Sequence, residues 1–156
     1  MTRWIVRPLE DMTDKERRFA HALALSAALY LILYLVLSPW YVEDAAISFS
    51  YARHVTEGYG FVAFPGGERV EGFSNPSWTL LLVAWDMVGV TPWVAAKLMG
   101  ALFGLVTVYL VGDLLWEKAA PDAPVEALAL GPLCLAVCPQ FLIWNASGLE
   151  NSLVNL

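Results

Sequence analysis

The run from Phe19 to Leu37 carries no formal charge and few polar side chains. A bilayer core about 30 Å thick needs about 20 mostly apolar residues to cross as a helix. Lipid offers the backbone no hydrogen-bond partners, so such a run must satisfy its own amides and is helical. Two further runs reach this length: Trp93–Trp116, with Lys97 and Asp113 near its ends, and the uncharged Ala127–Trp144. Charged residues make up 15% of the chain, against about a quarter in soluble domains, and mean hydropathy is +0.58. The sequence predicts an all-α integral membrane protein.

Charge sets the expected topology. Arg3, Arg7, Lys15, Arg17 and Arg18 precede the first run, whereas only Arg53 and Arg69 lie between the first and second. That excess predicts a cytoplasmic N-terminus and an outer loop over 38–92. The first run is longer than a signal-peptide core and no Ala-x-Ala site follows before Glu43, so it reads as a retained anchor. Leu149–Leu156 reads as the opening of a fourth helix, which makes the chain an expected N-terminal portion of a longer fold.

Within the loop, Ile47, Tyr51 and Val55 recur at helical spacing and predict an amphipathic helix over Ala45–Glu57, ended by Gly58 and Gly60. Pro65-Gly66-Gly67 predicts a turn. Pro76–Gly89 is apolar but would rise only about 21 Å as a helix. It is expected to lie at the surface, with Pro76 in its first turn, Ser74 or Asn75 as cap and Gly89 as stop. Were it to cross instead, Glu150 would fall on the side away from Asp44. Gly100, Gly104 and Gly112 form a small-residue face for close packing in the second run.

Several features carry no chemistry. The net charge of -6 is spread over loops, and no basic stripe suggests nucleic acid. Cys134 and Cys138 read as small apolar side chains in a membrane helix. Trp40, Tyr41, Trp78, Trp93, Trp116 and Trp144 fit an interfacial aromatic belt. Asn145-Ala146-Ser147 matches a glycosylation sequon but abuts the membrane. His21 and His54 have no partner at a useful spacing.

The charged loop residues are the candidate chemistry. Glu43 and Asp44 follow the first run directly, where a carboxylate can serve as general base at a water-filled membrane surface; Asp44 can also be read as a helix cap. Lys97 sits one turn inside the second run, and either contacts an anionic group or reaches the headgroups. Arg69 lies between Glu68 and Glu71, and a local ion pair explains it without a site. Glu150 reads as a second acid of the cleft or as a helix-start acid favoured by the macrodipole.

Two blocks carry a resemblance: Glu43-Asp44-Ala45-Ala46-Ile47-Ser48-Phe49-Ser50-Tyr51-Ala52-Arg53, and Gly67-Glu68-Arg69-Val70-Glu71-Gly72-Phe73-Ser74-Asn75-Pro76-Ser77-Trp78. Together they resemble the first outer loop of the polytopic GT-C glycosyltransferases, in particular the bacterial arabinofuranosyltransferase-like branch. The chain departs from that pattern with Glu43 where Asp is usual, Ala46 where an aromatic is usual and Ser50 where Arg is usual.

The resemblance implies a GT-C-type helix bundle whose first outer loop carries short juxtamembrane helices. It implies transfer of a sugar from a polyprenyl-phosphate donor to an envelope glycan or glycolipid at the outer face of the cell membrane, with inversion. Asp44 would be the base with Glu43 beside it, and Arg53, Arg69, Asn75, Trp78, Lys97 and Glu150 would contact substrate. No cofactor is required, although Glu43, Asp44 and Glu150 could hold a divalent cation. A second chain could complete the fold. The rival readings are a transporter or flippase of lipid-linked sugars, which predicts ionisable residues at mid-bilayer, and a non-catalytic subunit or inactive fragment.

Overall fold

The structure, a computed structural model, describes residues 8–69 and 72–156, and these are all-helical. Arg3, Arg7, Val70 and Glu71, used in the sequence reading, lie outside the described residues. The first helix, α1, covers Asp14–Leu37. It begins one turn earlier than the apolar run because Thr13 and Glu16 form a capping box: Thr13 N donates to Glu16 Oε2 at 2.8 Å and Glu16 N to Thr13 Oγ1 at 3.2 Å. Its inward face is Phe19, Leu23, Ser26, Tyr30 and Tyr34, while Leu25, Ile32, Leu35 and Val36 point outward.

The outer loop holds two short helices, α2 over Ala45–Thr56 and α3 over Pro76–Met87. Both were expected, and glycines punctuate them as the sequence suggests: Gly58 (φ +89°), Gly60 (φ +81°) and Gly89 (φ +88°) adopt left-handed conformations after the helix ends. Of the expected stripe, Tyr51 is buried and Val55 half-buried, but Ile47 is not. Ala45, Ser48, Phe49 and Ala52 face inward at i, i+3, i+4 and i+7, and Ile47 is 45% exposed. Small residues at 45 and 52 let α2 sit close against Trp78, Leu82 and Val83 of α3, so packing rather than side-chain apolarity selects the face.

The longest helix, α4, covers Pro92–Lys118, and its glycines receive the first helix. A Cβ at Gly104 would fall on the Tyr30 hydroxyl, and one at Gly112 would come within 2.8 Å of Leu23 Cδ1. This close approach lets Tyr30 Oη donate to Gly100 O at 3.0 Å and Tyr34 Oη to Lys97 O at 2.8 Å. Each hydroxyl thereby gains the partner that burial in an apolar bundle demands.

The third expected span is not one straight helix. It divides into α5, Val125–Ala136, and α6, Pro139–Ala146, bent by 45°. Pro139 has no N–H and disfavours helical geometry in the residue before it; Cys138 is accordingly extended (φ -67°, ψ 116°). Two helices, α1 and α4, are long and apolar enough to cross a membrane, and the bent pair makes a third if it is one span. Beyond Glu150, Asn151–Val154 forms a single turn, α7, where a further helix was expected to open.

Cross-links fix which elements share an end. At one end Lys15 Nζ donates to Pro121 O at 2.8 Å, Arg18 pairs with Glu126, and Phe19 stacks on Trp116. At the other, Val42 N donates to Ser147 O at 3.0 Å and Trp78 Nε1 to Gly148 O at 3.1 Å. The segment α3 does not traverse the bundle, and its 12 residues would rise only about 18 Å. Glu150 therefore lies at the same end as Asp44. In a background with Cys134 and Cys138 replaced, Ser74→Cys and Asp122→Cys should react with an impermeant maleimide from opposite sides of the membrane. Reaction of both from one side would overturn this arrangement.

Candidate functional site

The two sequence blocks and the Ser147–Glu150 turn meet in a cleft of about 300 Å³. One wall is Asp44, Ile47 and Ser48 at the start of α2; a second is the segment Gly72, Phe73, Ser74 and Asn75; Leu149 and Glu150 close the third.

The wall at Asp44 is set by a backbone turn. Ala45 N donates to Val42 O at 3.1 Å and Ala46 N to Glu43 O at 3.0 Å, so helical geometry is already established at residue 44. Asp44 occupies the N-cap position but its side chain makes no capping bond. The residue is exposed, like Glu43, but it lines the cleft. Glu43 is exposed and does not line it.

The third wall depends on Gly148. Its φ is +90°, and a Cβ there would meet Tyr41 Cδ1 at 3.0 Å, Phe49 Cζ at 3.1 Å and the Ala45 Cβ at 3.2 Å. Backbone sign and space both demand glycine. Ser147 reinforces the turn: its Oγ donates to Trp144 O at 2.7 Å and accepts from Leu149 N at 3.1 Å.

Asn75 joins all three walls. Ser48 Oγ donates to its Oδ1 at 3.0 Å, and its Nδ2 donates to Glu150 Oε2 at 2.7 Å. The Thr79 hydroxyl lies 3.2 Å from both its Oδ1 and its main-chain oxygen. As with Asp44, the residue stands at an N-cap position, here that of α3, with no side-chain capping bond. The expected cap is thus a bridge between α2 and the Glu150 turn.

The other expected contacts lie elsewhere. Arg53 is nine positions after Asp44, two and a half turns at about 3.6 residues per turn, which puts it on the opposite face of α2. There it pairs with Glu57 (Nε to Oε1 2.8 Å) beside Thr56 and Asp86, in an open groove of about 560 Å³. The Glu57 hydrogen bond raises its pKa further above the usual arginine value. Arg69 is exposed, with its guanidinium beside Gly60.

Trp78 is 1% exposed and its indole N–H is committed to Gly148, so it has no open face for a sugar. Lys97 is half-buried; its ammonium donates to Trp40 O and Ala146 O and lies 3.7 Å from the Tyr41 ring centroid. It ties helix ends together rather than facing the cleft.

Two lesser expectations also change. Asn145 and Ser147 are 1% and 0% exposed, so the sequon is buried in the bundle. Among the described residues no three His, Cys, Asp or Glu side chains gather as metal ligands, so Glu43, Asp44 and Glu150 do not assemble a cation site.

Ser48, Thr79 and Gly148 were not singled out by the sequence reading. Ser48 had a usable signal, since it follows Asp44 by four residues and shares its helix face. No protein-family model, curated protein or solved structure matches the chain.

The geometry predicts that Lys97→Met leaves two helix-end carbonyls short of a donor, at a cost of about 1–3 kcal/mol. A lowered melting temperature in detergent is expected. Unchanged melting would remove Lys97 as the tie between these carbonyls.

Proposed function

We propose that the chain forms the catalytic part of a GT-C-type membrane glycosyltransferase, one that moves a sugar from a polyprenyl phosphate to an envelope glycan or glycolipid at the outer face of the cell membrane. The observation that carries this reading is the cleft itself. Asp44, Gly72–Asn75 and Glu150 are far apart in sequence and line one small cavity at one end of an apolar helix bundle. A lipid-linked donor needs that combination, because its tail stays in the bilayer while its sugar reaches an aqueous cleft.

In the proposed reaction the oxygen of an acceptor hydroxyl attacks the anomeric carbon of the donor sugar. The Asp44 carboxylate takes the hydroxyl proton. The bond from the anomeric carbon to the phosphate oxygen breaks, and polyprenyl phosphate leaves with the electron pair. Attack opposite the leaving group inverts the anomeric centre. Glu150 accepts hydrogen bonds from substrate hydroxyls and so orients them.

The charge of the cleft refines which part of the substrate enters. Among the described residues, two carboxylates line it and no Lys, Arg or His does. It suits the neutral, hydroxyl-bearing sugar and repels the phosphate, which stays outside it. A transport pathway would place ionisable groups at the middle of the spans. Among the described residues, no Asp, Glu, Lys or Arg occupies the central turns of α1 or α4, which favours chemistry at the bundle end.

The test is transfer from radiolabelled polyprenyl-phosphate sugars in membranes, with any chain that completes the fold supplied. Asp44→Asn is expected to lower transfer by about 10²-fold or more at unchanged expression, and Glu43→Gln to have a much smaller effect. Equal activity of both variants and the wild type would remove Asp44 from the chemistry.

A further inference from the structure

The side chain of Asn75 cannot be turned freely. An ionised carboxylate only accepts hydrogen bonds, so the atom of Asn75 that lies 2.7 Å from Glu150 Oε2 must be its amide nitrogen. The amide oxygen then faces α2 and α3, where the hydroxyls of Ser48 (2% exposed) and Thr79 (0% exposed) are placed to donate to it. Ser48 comes from the first sequence block, Asn75 from the second, and Glu150 from the turn after α6. One amide thus reads all three walls of the cleft.

We infer that Asn75 is a positioning residue which holds the Glu150 carboxylate in the wall of the cleft that Asp44 also lines, and that Ser48 and Thr79 fix the direction of its amide. This rests on the glycosyl-transfer reading and extends it. With Oε2 engaged by Asn75, the other carboxylate oxygen is left for a substrate hydroxyl. Among the described residues, the cleft supplies Glu150 with no cation. The titratable group facing it from α2 is Asp44; residues 72–75 and the first turn of α3 contribute none, and Lys97 of α4 is turned to the Trp40 and Ala146 carbonyls. A neutral donor in that position fixes the carboxylate without neutralising the cleft.

Asn75→Asp tests this by setting a carboxylate against Glu150. Repulsion raises the proton affinity of the pair, so the variant is destabilised above the raised pKa and recovers as pH falls below it, where one shared proton rebuilds the bond. In the full chain, transfer should fall about tenfold or more at neutral pH and the melting temperature should drop. Both should recover toward about pH 5, which the wild type does not show.

Asn75→Asp combined with Glu150→Gln reverses donor and acceptor. It should restore the melting temperature at every pH while transfer stays low, because the charge has left position 150. Wild-type melting and an unshifted pH profile in Asn75→Asp would overturn the contact. Recovery of both melting and transfer in the double variant would reduce Asn75 to a structural tie and overturn the positioning role. A wild type inactive with every donor would sink the glycosyl-transfer reading and the positioning role with it; the melting curves would then decide the contact by themselves.

Discussion

Three consecutive carbonyls at the end of α6 hold the functional end of the molecule together. A helix ends with carbonyls that have no partner inside it, and an apolar surrounding makes their neglect costly. Here Ala146 O receives the Lys97 ammonium from α4, Ser147 O receives Val42 N from the linker before α2, and Gly148 O receives the Trp78 indole from α3. Each donor comes from a different element. The cation also sits where the negative end of a helix dipole favours it. Satisfying one helix terminus therefore fixes the position of the whole outer loop.

The cleft follows from that arrangement. The carbonyl of Gly148 can be gripped only if the chain turns with positive φ, and that turn sends Leu149 and Glu150 back toward the start of α2. The same packing separates the charges. Asp44, exposed, and Glu150, half-buried, line the cleft, whereas Arg53 is carried to the far side of α2 and Lys97 is turned to the Trp40 and Ala146 carbonyls. A cleft of one sign results, and the partition is a matter of helical phase rather than of sequence distance.

Much of the fold was legible because its signals are local. Long apolar runs marked α1 and α4, and Pro76 and Gly89 bounded α3 within about two residues. Where the reading went astray, a tertiary contact outweighed a local preference. Ile47 looked like part of a buried stripe, but small residues on the adjacent face allowed closer packing. The run to Trp144 was apolar throughout; of its two prolines, Pro132 stays inside α5 and Pro139 opens α6, where the run bends. For the site, Asp44, Asn75 and Glu150 were each nominated by motif and do converge. Arg53, Trp78 and Lys97 were nominated on the same grounds and do not. Residue type shows that a group can bind a sugar or a phosphate, but helix phase and burial decide whether it faces one.

On the proposed reading, the absence of cations among the described residues lining the cleft bears on how a lipid-linked substrate would approach. A leaving phosphate gains negative charge as its bond to the sugar breaks, and donors must meet that charge where it develops. The described lining supplies carboxylates, hydroxyls and an amide whose N–H is already engaged by Glu150. On the proposed reading the phosphate then lies at the rim, toward the bilayer, and only the sugar passes between Asp44 and Glu150. That geometry suits a base acting on the side of the anomeric carbon away from the leaving group, as inversion requires. It also gives Glu150 a reason to be fixed: one oxygen held by Asn75 leaves the carboxylate in a set direction to accept hydrogen bonds from the hydroxyls it orients.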